Sequence, residues 1–333
     1  MDETRQVATS LLRTGRGIFV ADEYVGEMLP PAGARPPART LAEYVDLVVA
    51  TPGVDDWLSG VLTTADAFAV SEHRLTVQQH ADPPQAVQLG VRLGIDLARP
   101  RPGDGSADED EEVRRQLAAH RQAGATFTEW RANLEPASVE RGASHVEAEA
   151  LARGAAASQA EHILPLVTIA MPDLASHSAA VTQAVTGNAL DELFTQLARF
   201  EVDTSAMLLR INMVVAGDDH NVVQASPEDV AQATLALISK SVPDDVPGVV
   251  FLSGGQRLDQ ACSNLAAISS LARQLGYPWS LSFAYARALV PRSVESRREV
   301  DDATVQREFL ELCRQASQSL SSPSAASSAR DSA

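Results

Sequence analysis

Short apolar runs of strand length alternate along this chain with longer stretches in which apolar residues recur every three or four positions. The runs "GIFVAD" (17–22), "WLSGVLTT" (57–64), "VQLGVRLGID" (87–96) and "ATFTEWRANL" (125–134) predict four strands. Four more follow in "ILPLVTIA" (163–170), "SAMLLRINMV" (205–214), "GVVFLSG" (248–254) and "WSLSFAYARAL" (279–289). Helical periodicity falls between them, around 39–50, 109–123, 143–160, 178–201, 226–241, 257–274 and 302–319. In "SPEDVAQATLALI" a serine cap precedes an acidic first turn, the expected start of a helix.

Eight strands with intervening helices over about 300 residues are the count and length of an α/β (β/α)8 TIM barrel. An open doubly wound sheet would want a Gly-rich turn after its first strand, and "ADEYVGE" is not one. The expected organisation is one barrel over residues 1–320, with a Ser/Ala-rich tail over 321–333 expected to be disordered. "RPRPGDGSADEDEE" (99–112) reads as a solvated loop leading into a helix, and no repeat at a solenoid period is present.

Composition narrows the classes. With 333 residues, 45% of them hydrophobic, the chain can bury one large core. Its longest apolar runs fall short of the roughly 20 residues a bilayer span needs. The start "MDETRQVATS" lacks an apolar segment behind a basic one, so no secretory signal is expected and the compartment expected is cytoplasmic. A net charge of −17 argues against nucleic acid or an anionic membrane as partner. The two cysteines, Cys262 and Cys313, lie in helical patterns without a CxxC or Cys/His cluster, so neither a structural metal nor another cofactor is expected. Lys240 is the only lysine; the other 26 of the 27 Lys and Arg residues are arginine. Any chemistry requiring a side-chain amine therefore has one candidate.

Candidate chemistry gathers at the strand ends. Strand 7 runs into "FLSGGQ", where Ser253, Gly254 and Gly255 can offer a hydroxyl and backbone N–H groups to an anion. Strand 8 ends in "YAR", which places Arg287 where a guanidinium could grip the same anion. Strand 6 carries Arg210 inside an apolar run, and a buried guanidinium must find a partner or a ligand. "GDDHN" (217–221) is a weak metal cluster, more commonly a polar turn. His162 precedes strand 5 at the stability face of a barrel, whereas His177 follows it and could serve as a base. Tyr24 and Tyr285 are acid/base candidates whose ordinary role would be packing.

The stretches "GRGIFVADE", "GATFTEWR", "LLRINMV", "SVPDDVPGVVFLSGGQ" and "NLAAISSLARQLGYPWSLSFAYARAL" resemble class I fructose-bisphosphate aldolases, over about residues 5–318. The resemblance implies a barrel enzyme that cleaves or forms a ketose bisphosphate through a Schiff base on a strand-6 lysine. It also implies a homo-oligomer. In the family that lysine and a proline stand before Asn-Met-Val; here the two positions are Arg210 and Ile211. A second family lysine falls on Glu129, the lysine ending strand 3 on Asp96, and the strand-5 glutamates on Thr168 and Ala170. The first-loop serine falls on Tyr24, a basic pair on Pro30 and Pro31, and the family's C-terminal tyrosine has no counterpart. Asp22, Arg131 and Asn212 match the family pattern, as do Ser253, Gly254 and Arg287 of its phosphate site.

The pattern keeps one anion site and lacks the covalent machinery. The reading it supports is a diverged homologue that binds a phosphorylated or other anionic small molecule, as an enzyme of changed chemistry or as a sensor. A carbon–carbon lyase working without an imine, through Asp22, Glu129 and Arg210, is the second reading. A glycolytic fructose-bisphosphate aldolase is the third. An Arg210–Glu129 ion pair, with Asp22 within reach, is expected across the floor of the pocket.

Overall fold

A computed structural model of the protein describes residues 2–29, 37–71, 87–99, 106–134, 144–172, 177–217, 224–295 and 300–321. Eight parallel strands close into a barrel in chain order. They are β1 (Gly17–Ala21), β2 (Leu58–Thr64), β3 (Gln88–Leu93), β4 (Phe127–Asn133), β5 (Leu164–Ala170), β6 (Leu208–Asn212), β7 (Gly248–Leu252) and β8 (Ser280–Tyr285). Closure comes where β1 meets β8, with Ile18 opposite Ala284 and Phe19 opposite Tyr285. The (β/α)8 barrel expected from the alternating pattern is the fold observed.

Parity along each strand divides the buried residues into two groups. One group, including Ile18, Val20, Leu62, Phe127, Leu166 and Val250, fills the barrel interior. The other, far larger, packs the outer strand faces against the helices. The seven predicted helices are present, from Pro37–Val49 to Asp302–Ser321. Among the described residues four more were not legible from periodicity: Asp2–Leu11, Glu23–Met28, Ala65–Val70 and the single turn Arg292–Glu295. The first contributes Ala8 and Leu11 to the interior group, and Ser59 at the start of β2 donates to the Leu11 carbonyl. It thus closes the N-terminal end of the barrel and leaves the C-terminal end as the open mouth.

Helix Ser144–Ala160 shows how tightly the outer layer is fitted. The Trp130 indole, fully buried, donates to Ser158 Oγ at 2.9 Å and lies over Gly154. A Cβ at Gly154 would stand 2.3 Å from Trp130 Cδ2. Alanine is worth about 1 kcal/mol more than glycine in a helix, but overpacking costs about 1–3 kcal/mol. Gly154→Ala is therefore expected to destabilise the fold in urea titrations. A rise in the unfolding midpoint would show that Trp130 has room to move. No helix among the described residues is long and apolar enough to cross a membrane.

Candidate functional site

The side chains that face the mouth are set by the same alternation. On β4, Trp130 points outward, so Glu129 and Arg131 on either side of it point in. On β6, Leu208 packs with the interior group, so Arg210 and Asn212 follow it on the same face. The β3–β4 register puts Arg92 directly beside Glu129.

Arg210 is 1% exposed and Glu129 fully buried. Arg210 Nη1 donates to Glu129 Oε1 at 2.5 Å, and Nη2 donates to the Ala284 carbonyl of β8 at 2.9 Å. The expected pair is therefore in place. Its Nε makes no hydrogen bond among the described residues. Glu129 is engaged on all sides. Arg92 Nε donates to its Oε2 at 2.5 Å, and Thr168 Oγ1 donates to Oε1 at 2.7 Å. Arg92 continues outward to Glu23 at 2.8 Å and Asp22 at 3.5 Å. Asp22, expected within reach of Arg210, pairs instead with Arg92 and lies 4.0 Å from Arg131. Its second oxygen caps helix Glu23–Met28 by accepting from the Val25 N–H at 3.2 Å.

Stripping water from an ion costs several kcal/mol, so a buried charge persists only when it is fully partnered. Burial alone would push the Glu129 carboxyl up. Arg92, Arg210 and Arg131, with the Thr168 hydroxyl, outweigh that and hold it well below the usual carboxylate range. Burial brings Arg210 down to about 10, with Glu129 opposing the shift, so it stays a cation at neutral pH. For Arg92, burial is outweighed by Glu129, Asp22 and Glu23, which raise it above its ordinary value. Glu129 is thus an ionised group held by three donors, poorly suited to moving a proton.

A cleft of about 550 Å³ opens at the ends of β7 and β8, lined in part by Ser253, Gly255, Arg257, Arg287 and Arg292. Gly254 and Gly255 follow β7 with φ of +57° and +77°, a conformation that side-chain-bearing residues rarely adopt. Gly254 also has no space for a side chain, because a Cβ would stand 2.7 Å from Asn212 Nδ2. Asn212 in turn accepts from the Met171 N–H at 2.8 Å and so ties the loop after β5 to the glycine turn. Arg287 lies with its guanidinium 5.7 Å from the centre of the Tyr24 ring.

Other candidates lie elsewhere. Asp96 is exposed and pairs with Arg99 at 3.1 Å. His177 is buried, with Nδ1 at 3.1 Å from Thr182 Oγ1 and Nε2 at 3.5 Å from the Pro172 carbonyl, and it braces two loops. Tyr285 points outward and donates to the Ala261 carbonyl at 3.4 Å. His162 is exposed ahead of β5. Ser321, expected to begin the tail, ends helix Asp302–Ser321 instead; Pro30, Pro31, the tail beyond Ser321 and all of "GDDHN" beyond Gly217 lie outside the described residues. Among the described residues no group of His, Cys, Asp or Glu is placed to hold a metal.

A family model for glycolytic fructose-bisphosphate aldolase class-I matches residues 3–332. The chain belongs to the class I fructose-bisphosphate aldolase family. It is 32% identical over 301 residues to fructose-bisphosphate aldolase 2 of Caenorhabditis elegans, spanning 86% of this chain and 80% of that one. It is 28% identical over 300 residues to a probable fructose-bisphosphate aldolase class 1 of Xylella fastidiosa, spanning 87% of each. The fold matches a solved structure of fructose-bisphosphate aldolase from Plasmodium falciparum, in complex with TRAP and a small-molecule inhibitor. That match has a TM-score of 0.77 at 24% identity, over 96% and 94% of the two chains.

In this aldolase-family barrel the one lysine stands far from the mouth. Lys240 is exposed in the last turn of helix Pro227–Ser241, which runs back from the end of β6 to the start of β7. That places it at the closed end of the barrel. Two members of the charge cluster, Arg92 and Glu23, were not singled out from the sequence. Arg92 in "LGVRLG" carries the same signal as Arg210, a guanidinium inside an apolar strand.

Proposed function

We propose that this member of the aldolase family binds a phosphorylated or otherwise anionic small molecule at the barrel mouth, without lysine-imine chemistry. The observation behind this reading is Arg210. It is buried in mid-barrel against Glu129, and the only lysine is at the opposite end of the molecule. Ser253, the Gly254 N–H and Arg287 form the anion site, with Asn212 keeping the glycine turn in shape. Arg131, Asp22 and Arg92 face the rest of the ligand. Glu129 and Arg210 set the field of the floor rather than transferring protons. A cytoplasmic homo-oligomer acting on a soluble metabolite is part of this reading.

Two other readings have something in their favour. A carbon–carbon lyase without an imine would use Arg131 and Arg92 to stabilise an enolate, with the Asp22 carboxylate beside both of them. The name shared by the relatives favours the glycolytic aldolase itself, and the trapping experiment argued in the Discussion separates it from both.

The anion site is tested by Arg287→Ala. A charge-assisted contact contributes about 1.5–3 kcal/mol, so affinity for inorganic phosphate, followed by calorimetric titration, is expected to fall roughly tenfold or more. Unchanged affinity would mean that the Ser-Gly-Gly turn is only a turn.

A further inference from the structure

Resting on that anion site, we propose that Tyr24 is a positioning residue for Arg287, linking the buried charge cluster to the place where the ligand is held. Tyr24 is 52% exposed, one of few large apolar side chains so placed among the described residues. Its ring face lies 5.7 Å from the Arg287 guanidinium, inside the distance at which the ring's negative face attracts a cation. The ring is held half out of water with its face toward Arg287.

Three contacts fix its position. Asp22, two residues earlier, caps the helix that carries Tyr24 and touches Arg92. Glu23, its neighbour, pairs with Arg92 at 2.8 Å. Arg92 is itself locked to Glu129, which holds Arg210. The segment bearing Tyr24 is thereby pinned to the barrel floor from one side. β1 and β8 are hydrogen-bonded neighbours, so the residues just past their ends, Tyr24 and Arg287, meet across the closure of the barrel. A long arginine side chain loses rotamer freedom when it grips a ligand, and holding it in place beforehand lowers that cost. Tyr24 does this holding: the charge cluster sets Tyr24, and Tyr24 sets Arg287.

The test uses inorganic phosphate as probe and four proteins: wild type, Tyr24→Phe, Tyr24→Leu and Arg287→Ala. Phosphate affinity is measured by calorimetry. The Arg287 Nε–H resonance, assigned by its loss in Arg287→Ala, reports the ring current of residue 24. Tyr24→Phe keeps the ring and is expected to match wild type in both readouts. Tyr24→Leu keeps bulk without a π face. It is expected to weaken phosphate about two- to fivefold, the worth of an exposed cation–π contact, and to shift the Arg287 resonance downfield. If Tyr24→Leu binds phosphate as wild type does while Arg287→Ala binds it poorly, the anion site stands and the positioning role is overturned. A Tyr24→Phe protein that behaves like Tyr24→Leu overturns it too, because the ring face would not be the operative feature. If Arg287→Ala leaves affinity unchanged, the anion-site reading itself has failed and takes this proposal with it.

Discussion

Replacing Glu129 by glutamine is expected to cost about 3–5 kcal/mol of stability, the usual penalty for stranding a buried charge, and Arg210→Met is expected to cost less. The asymmetry follows from who is left behind. Without the Glu129 charge, Arg210 keeps neutral acceptors such as the Ala284 carbonyl but has no paired carboxylate opposite it among the described residues. Without Arg210, Glu129 keeps Arg92 at 2.5 Å and the Thr168 hydroxyl. Urea unfolding of the two single variants and of the Glu129→Leu/Arg210→Met pair measures the difference. The double variant, which buries hydrocarbon where the ion pair was, is expected to recover part of the loss. Arg210→Met proving the costlier change would mean that Arg92 does not neutralise Glu129.

The same carboxylate makes the fold acid-sensitive, and the direction is fixed. The folded pKa of Glu129 is depressed, so its contribution is fully present above the unfolded value of about 4.3 and is lost as pH falls below it. Over that acid range the stability gap between wild type and Glu129→Gln is expected to narrow by up to about 1.4 kcal/mol per pH unit. A gap independent of pH would contradict an ionised Glu129.

Borohydride reduction in the presence of dihydroxyacetone phosphate is expected to leave no adduct inside the barrel. An imine forms when a neutral amine attacks a ketone. At the mid-barrel position of β6 the group present is a guanidinium, still charged at neutral pH and tied to Glu129. The one side-chain amine, Lys240, is solvated at the opposite end. Peptide mapping by mass spectrometry separates Lys240 from the N-terminal amine. A reduced adduct on Lys240 together with turnover of fructose 1,6-bisphosphate would reverse the proposed function. Arg210→Lys alone is not expected to confer activity, because an ammonium placed against Glu129 would be held in its charged, non-nucleophilic form.

Much of this architecture was legible because a barrel strand buried on both faces reads as an unbroken apolar run, and a charge within such a run needs an explanation. That logic found Arg210, while its partner Glu129 came from the family resemblance. It passed over Arg92, whose partners are decided by the β3–β4 register and by the start of a helix 69 residues away, neither of which local spacing encodes. His177 illustrates the converse. A histidine after a strand looks like a mouth residue, but its burial depends on Thr182 and the Pro172 carbonyl folding over it. Helix Asp2–Leu11 was missed because it is short and mostly polar, with Ala8 and Leu11 as its buried apolar residues.

The closure of β1 on β8 bears on how the molecule is made. Ser282 reaches back to the Arg16 carbonyl across 266 residues, and Arg210 completes its hydrogen bonding on Ala284 of the last strand. A ribosome adding about 5–20 residues per second needs roughly 13–54 s to travel from β1 to β8. Throughout that interval the nascent sheet has two open edges, each a template for pairing with another chain. The guanidinium of β6 meanwhile lacks its β8 acceptor. The barrel floor is therefore finished only when the final strand docks, so slower synthesis over that last stretch lengthens the exposure of both edges.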